Sequence, residues 1–212
     1  MVLFDMDGLL LDTERVCLEC CVAIGQRYDL PDLSEVFMQM IGLRGVESAE
    51  ILNRSLLGQV SSEQFVSEWD VMIDGRFAQG VEVKAGAVAL LERLKARDIR
   101  VAVATSTLTD TARKHLEKAA LLGFFDEVVG GDMVTHGKPH PEIYQKAAAA
   151  LNVSPTNCNV FEDSDPGVRA GIAAGAQVVQ VPDIKPPSAE LIAMGHIIAP
   201  DLLMGARRVG LI

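Results

Sequence analysis

Two textures of apolar positions divide this chain. Val2, Leu3 and Phe4 form a short continuous apolar run, the pattern of a strand buried on both faces of a parallel sheet. From Thr13 to Tyr28 the pattern changes, because Val16, Cys20, Ala23 and Ile24 recur at helical spacing. Further helical patterns cover residues 33–40, 46–57 and 64–77, and no strand is predicted between them. Residues 13–82 therefore read as a small, all-helical insertion. Trp69 lies on one of its helical faces and reads as core of that unit, not as a substrate platform.

Beyond Val83, short Val-rich runs alternate with helical patterns. Helices are predicted over 86–97, 110–120, 141–151 and 165–174. Strands are predicted over 100–105, 127–129, 159–161 and 177–181, with a last short pair of elements ending at 196–198. This alternation builds βαβ units. The fold class is α/β, a Rossmann-like parallel sheet core formed by residues 1–12 and 83–212 with the helical unit inserted.

In such sheets ligands bind beyond the carboxyl ends of the strands. The first strand ends in Asp5 and, two residues on, Asp7. The strand RVAVAT ends in Thr105 and Ser106; Lys138 follows the third strand between Gly137 and Pro139; the strand NVF runs into Glu162 and Asp163. Singly, each has a plain reading, turn chemistry for Asp7–Gly8 and helix caps for Asp163, Ser164 and Asp165. Jointly, acids at separate strand ends with a lysine and a hydroxyl between them describe a hard-cation site beside an anion site. Mg2+ suits an oxygen-rich set of this kind better than zinc.

Composition sharpens the picture. The chain has 212 residues, 49% of them apolar, and 19 basic against 29 acidic residues give a formal charge of −10. That field opposes nucleic acid and anionic membranes, so an anionic ligand has to be met by a cation and a few placed donors. No apolar run is long enough to span a bilayer and no signal-like N-terminus is present, which gives a cytoplasmic reading. Cys17, Cys20 and Cys21 lie in one helical pattern, and Cys158 lies apart. With no second metal-binding pair at a fitting spacing, they read as reduced, structural thiols. Pro139 and Pro141 prevent a regular helix around His136 and His140, which read as loop histidines.

The ordered set D5-M-D7-G8, Thr105, Lys138 in GKPHPEIY, and E162-D163-S164 before a helix resembles the four motifs of the haloacid dehalogenase superfamily, in its phosphoglucomutase-like subgroup. The resemblance implies a Mg2+-dependent phosphatase. Asp5 matches the nucleophile that becomes an aspartyl phosphate, and Asp7 matches the acid and base, its main-chain carbonyl also a metal ligand. Thr105, Ser106 and Lys138 match the phosphoryl-binding positions. Asp5, Asp7, Glu162 and Asp163 match the metal set, Glu162 directly or through water. The resemblance also implies that a few residues ordinarily precede the first strand.

The helical insertion resembles the cap that closes over such sites and carries substrate contacts. Arg44, in loop 42–48, is the candidate contact for a second anionic or hydroxyl-rich part of the substrate. Hexose-phosphate mutases of the subgroup carry a basic residue where this chain has Ser48 and a histidine where it has Cys17, whereas LLLDTE resembles the phosphatases. The expected substrate is a small phosphorylated metabolite, sugar or nucleoside-like, and the mutase reaction is the alternative. A monomer or weak oligomer is expected.

Overall fold

The structure is a computed structural model that describes residues 1–41 and 45–212. Its helices are α1 (Thr13–Arg27), α2 (Ser34–Met40), α3 (Gly45–Ser55), α4 (Ser62–Ala78), α5 (Ala87–Lys95), α6 (Thr109–Lys118), α7 (Glu142–Ala150), α8 (Asp165–Ala173), α9 (Ala189–Ile192) and α10 (Leu202–Arg208). The strands are β1 (Val2–Phe4), β2 (Val101–Ala104), β3 (Glu127–Val129), β4 (Asn159–Glu162), β5 (Gln177–Gln180) and β6 (Ile197–Ile198). They form one sheet in the order β3-β2-β1-β4-β5-β6, with every neighbouring pair parallel. This is the α/β, Rossmann-like arrangement that the alternating texture predicts.

The chain divides into two compact units, Met1–Asp12 with Glu82–Ile212, and Thr13–Val81. In the helical unit, Trp69 packs edge-on against Phe37 and Phe65 and donates its indole N–H to the Cys17 carbonyl at 2.9 Å. Cys20 and Cys21 are buried beside Ile24, and all four cysteines are free thiols. Ser61 caps α4 by accepting the Gln64 N–H.

The core of the larger unit forms where β1 lies between β2 and β4. Leu3, Ala102 and Val160 on one sheet face pack against Ile143, Tyr144 and Ala147 of α7 and Leu151 just beyond its end. A sheet covered on both faces needs no polar alternation, which is why its strands read as unbroken apolar runs. Two boundaries matter for the site. Glu162 is the last residue of β4 instead of the first residue beyond it, and Thr105 lies just past β2, its N–H bonded to the Val129 carbonyl at 3.0 Å.

Helix α10 is not legible in the sequence. Its apolar signal is short and interrupted by Gly205, a poor helix former. Tertiary structure supplies the reason for that glycine, since a Cβ there would stand 2.7 Å from Val179 Cγ1 and 3.1 Å from Phe161 Cε1. Gly171 of α8 plays the same part, with a Cβ only 2.8 Å from Val178 Cγ2.

The segment between β3 and α7 is held down at its far end. Thr135 and His136 donate their backbone N–H groups to the Glu142 carboxylate at 3.1 and 3.0 Å, and Lys146 pairs with it. Those donors hold the Glu142 carboxyl down at about 2. His136 and His140 are exposed in this loop, their rings 4.7 Å apart.

Two outcomes follow for stability. Gly171→Ala is expected to lower the unfolding free energy by about 1–3 kcal/mol through overpacking, read from urea denaturation. Glu142 ionises more easily folded than unfolded, so its contribution is present above its ordinary value of 4.5 and lost as pH falls from there towards about 2. The melting temperatures of wild type and Glu142→Gln should therefore differ at neutral pH and converge through that acid window.

Candidate active site

Parallel register assembles the site. Phe4 pairs with Val103 on one side and Phe161 on the other, so the next residue out, Asp5, stands between the ends of β2 and β4. The Asp5 N–H continues the ladder to the Phe161 carbonyl at 3.0 Å. The chain then turns sharply at Gly8, where φ is +76°, and the Leu10 and Leu11 N–H groups both return to the Met6 carbonyl. A Cβ on Gly8 would stand 2.5 Å from Asp163 Oδ2, so glycine is required by space as well as by backbone angle.

Lys138 reaches into this point with its side chain only 7% exposed. Its ammonium contacts Asp5 Oδ1 and donates to Glu162 Oε1 at 2.6 Å. Burial works against the charge on Lys138, but the two carboxylates outweigh it and raise its pKa, so the ammonium is retained. Burial and the neighbouring Glu162 and Asp7 carboxylates, against the pull of Lys138, push the Asp5 carboxyl well above the usual range. Glu162 is likewise buried, but Lys138 and its other donors hold its carboxyl below the usual value.

Those donors define what Glu162 does. Oε1 accepts from Lys138 and from the Tyr144 hydroxyl at 2.7 Å; Oε2 accepts the Asp163 and Ser164 N–H groups and the Ser164 hydroxyl, each at 3.0 Å. Both oxygens are engaged by protein donors, an arrangement that suits orienting Lys138 and the Asp163 turn more than direct ligation. Gly167 makes the room, since any Cβ there would overlap the carboxylate.

Asp7 faces the end of β2. Its Oδ2 accepts hydrogen bonds from the Thr105 hydroxyl at 3.0 Å and the Thr107 hydroxyl at 2.8 Å, while Thr105 Oγ1 accepts the Thr107 N–H. Ser106 is exposed, and with Thr105, Gly131, Gly137 and Lys138 it lines a cavity of about 240 Å³. Arg44 lies outside the described residues. Thr107 and Tyr144 are partners that the sequence reading passed over. Thr107 lies two residues beyond the strand end at Thr105, Tyr144 closes the motif GKPHPEIY, and a tyrosine on an apolar helix face calls for a hydroxyl partner.

Asp5, Glu162 and Asp163 are all buried and each offers a carboxylate oxygen within 4.8 Å of the others. One ammonium among three buried carboxylates leaves the group anionic, and a set made of oxygens alone matches a hard divalent cation such as Mg2+.

This constellation has known counterparts. Residues 2–181 match the haloacid dehalogenase-like hydrolase family. A phosphorylated carbohydrates phosphatase of Thermotoga maritima is 35% identical over 83% of this chain and 82% of its own length. A (DL)-glycerol-3-phosphatase of Arabidopsis thaliana is 34% identical over 86% of this chain and 79% of its own. A solved Thermotoga maritima structure, provisionally assigned as a beta-phosphoglucomutase, superposes with a TM-score of 0.80 at 31% identity, covering 99% of both chains. The chain belongs to the haloacid dehalogenase-like hydrolases, in their beta-phosphoglucomutase-like branch, and is a phosphomonoester hydrolase.

Proposed function

We propose that this enzyme hydrolyses a small phosphorylated metabolite, a sugar, polyol or nucleoside-like monoester, through a phosphoryl group carried on Asp5. The observation that carries the reading is the buried contact of Lys138 with Asp5, beside an Asp7 held by two threonine hydroxyls. The phosphatase names borne by relatives from a bacterium and a plant support the substrate class.

In the first step an Asp5 oxygen attacks phosphorus, the bond from phosphorus to the ester oxygen breaks, and Asp7 gives that oxygen a proton. In the second, Asp7 takes a proton from water, the hydroxide attacks the same phosphorus, and Asp5 leaves as a carboxylate with inorganic phosphate released. Thr105 and Lys138 hold the phosphoryl oxygens, Ser106 offers a further donor, and Thr107 keeps Asp7 in place. Asp5, Asp163 and the main-chain carbonyl of Asp7 are the donors for Mg2+, which when bound supplies charge neutralisation to the phosphoryl group. Glu162 serves as a positioning residue for Lys138 and the Asp163 turn.

The helical unit, Thr13–Val81, is assigned the selection of substrate, with Arg44 as its candidate contact. A cytoplasmic setting agrees with four free thiols.

A panel of phosphorylated metabolites assayed with and without Mg2+ tests the activity, with phosphate release in its presence as the expected result. Asp5→Asn should leave no measurable turnover, and full activity in that variant would overturn the mechanism. Asp7→Asn should bind Mg2+ nearly as well as wild type yet slow turnover by roughly 10²-fold or more, because acid and base assistance is lost. With β-glucose 1-phosphate and a catalytic bisphosphate, glucose 6-phosphate formed faster than free phosphate would replace the phosphatase by the mutase.

A further inference from the structure

Asp183 is an acid that phosphoryl transfer leaves unused. It follows β5, the strand next to β4, so it emerges beside the end that carries Asp163. Its side chain is only 7% exposed. Oδ1 pairs with the Lys84 ammonium, which also reaches Asp12 Oδ1 at 3.4 Å. Oδ2 is buried and meets no hydrogen-bond donor among the described residues.

A buried carboxylate oxygen without a donor is a costly arrangement and calls for a ligand group. Its direction is informative. The point where a Cβ on Gly8 would stand is 3.2 Å from Asp183 Oδ2 and 2.5 Å from Asp163 Oδ2, so two anionic oxygens converge on the DMDG turn. An ion pair with Lys84 accounts for Oδ1 but not for a second buried oxygen turned towards another acid. Asp183 is also outside the group of Asp5, Glu162 and Asp163, whose ligand atoms lie within 4.8 Å of one another. That separation suits a partner in the outer shell of an ion.

We propose that Asp183 is an outer-shell acid of the cation site. Its Oδ2 accepts a hydrogen bond from a water molecule on the ion held by Asp5 and Asp163, while Lys84 fixes its other oxygen. The inference rests on the assignment of the cation to Asp5 and Asp163. Outer-shell acceptors orient coordinated water and strengthen metal binding.

The test is calorimetric titration of MgCl2 into the full chain without substrate, for wild type, Asp183→Asn, Lys84→Gln and Asp163→Asn. Asp183→Asn is expected to weaken Mg2+ binding by about 10–100-fold, and Asp163→Asn by more. A purely structural Lys84–Asp183 pair would instead lower the metal-free melting temperature of both Asp183→Asn and Lys84→Gln and leave Mg2+ affinity unchanged; that result overturns the inference while the Asp5–Asp163 site stands. If Asp183→Asn does not fold, Asp183→Glu, which keeps the charge and displaces the oxygen, takes its place under the same criterion. Failure of wild type to bind Mg2+, or binding by Asp163→Asn as tight as wild type, overturns the site itself and the inference with it.

Discussion

The Lys138 ammonium, buried against Asp5 and Glu162, is the interaction on which the rest of the site depends. Three carboxylates gathered in an apolar interior repel one another at close range, and the repulsion grows as water is excluded. A single buried cation relieves part of it and leaves the remainder for a second. The local structure serves this arrangement: Tyr144 and the Asp163–Ser164 turn occupy the rest of Glu162, and Gly167 clears space for its carboxylate.

The sheet converts that chemistry into geometry. Parallel strands in register bring their carboxyl ends to one level, so residues from β1, β2 and β4, far apart in sequence, meet without any long-range signal of their own. The remaining member, Lys138, comes from a loop anchored at its far end by Glu142. Asp7 and Asp5, two residues apart, are set in different surroundings. One accepts hydroxyl donors from Thr105 and Thr107, the other meets an ammonium, and this difference suits an acid–base group beside a nucleophile.

Much of this was legible beforehand because it is local. Hydrophobic periodicity distinguishes a helical insertion from a βαβ core, and Asp5, Asp7, Thr105, Lys138, Glu162 and Asp163 each sit at a strand end or loop that the pattern marks. Thr107 and Tyr144 carry no such mark, since their importance is their partner and not their position. Helix α10 was hidden because Gly205 weakens its helical signal for the sake of contact with Val179 and Phe161.

Period and motif order are properties of neighbouring residues, so the class of fold, the family and the kinds of chemical group available can be read along the chain. How those groups are employed emerges from packing: Glu162 turns both oxygens to protein donors, Asp7 is held by a pair of threonines, and Asp183 directs a buried oxygen towards the DMDG turn. Hydrogen-bond satisfaction and burial are collective properties of packed elements, and no single stretch of chain encodes them.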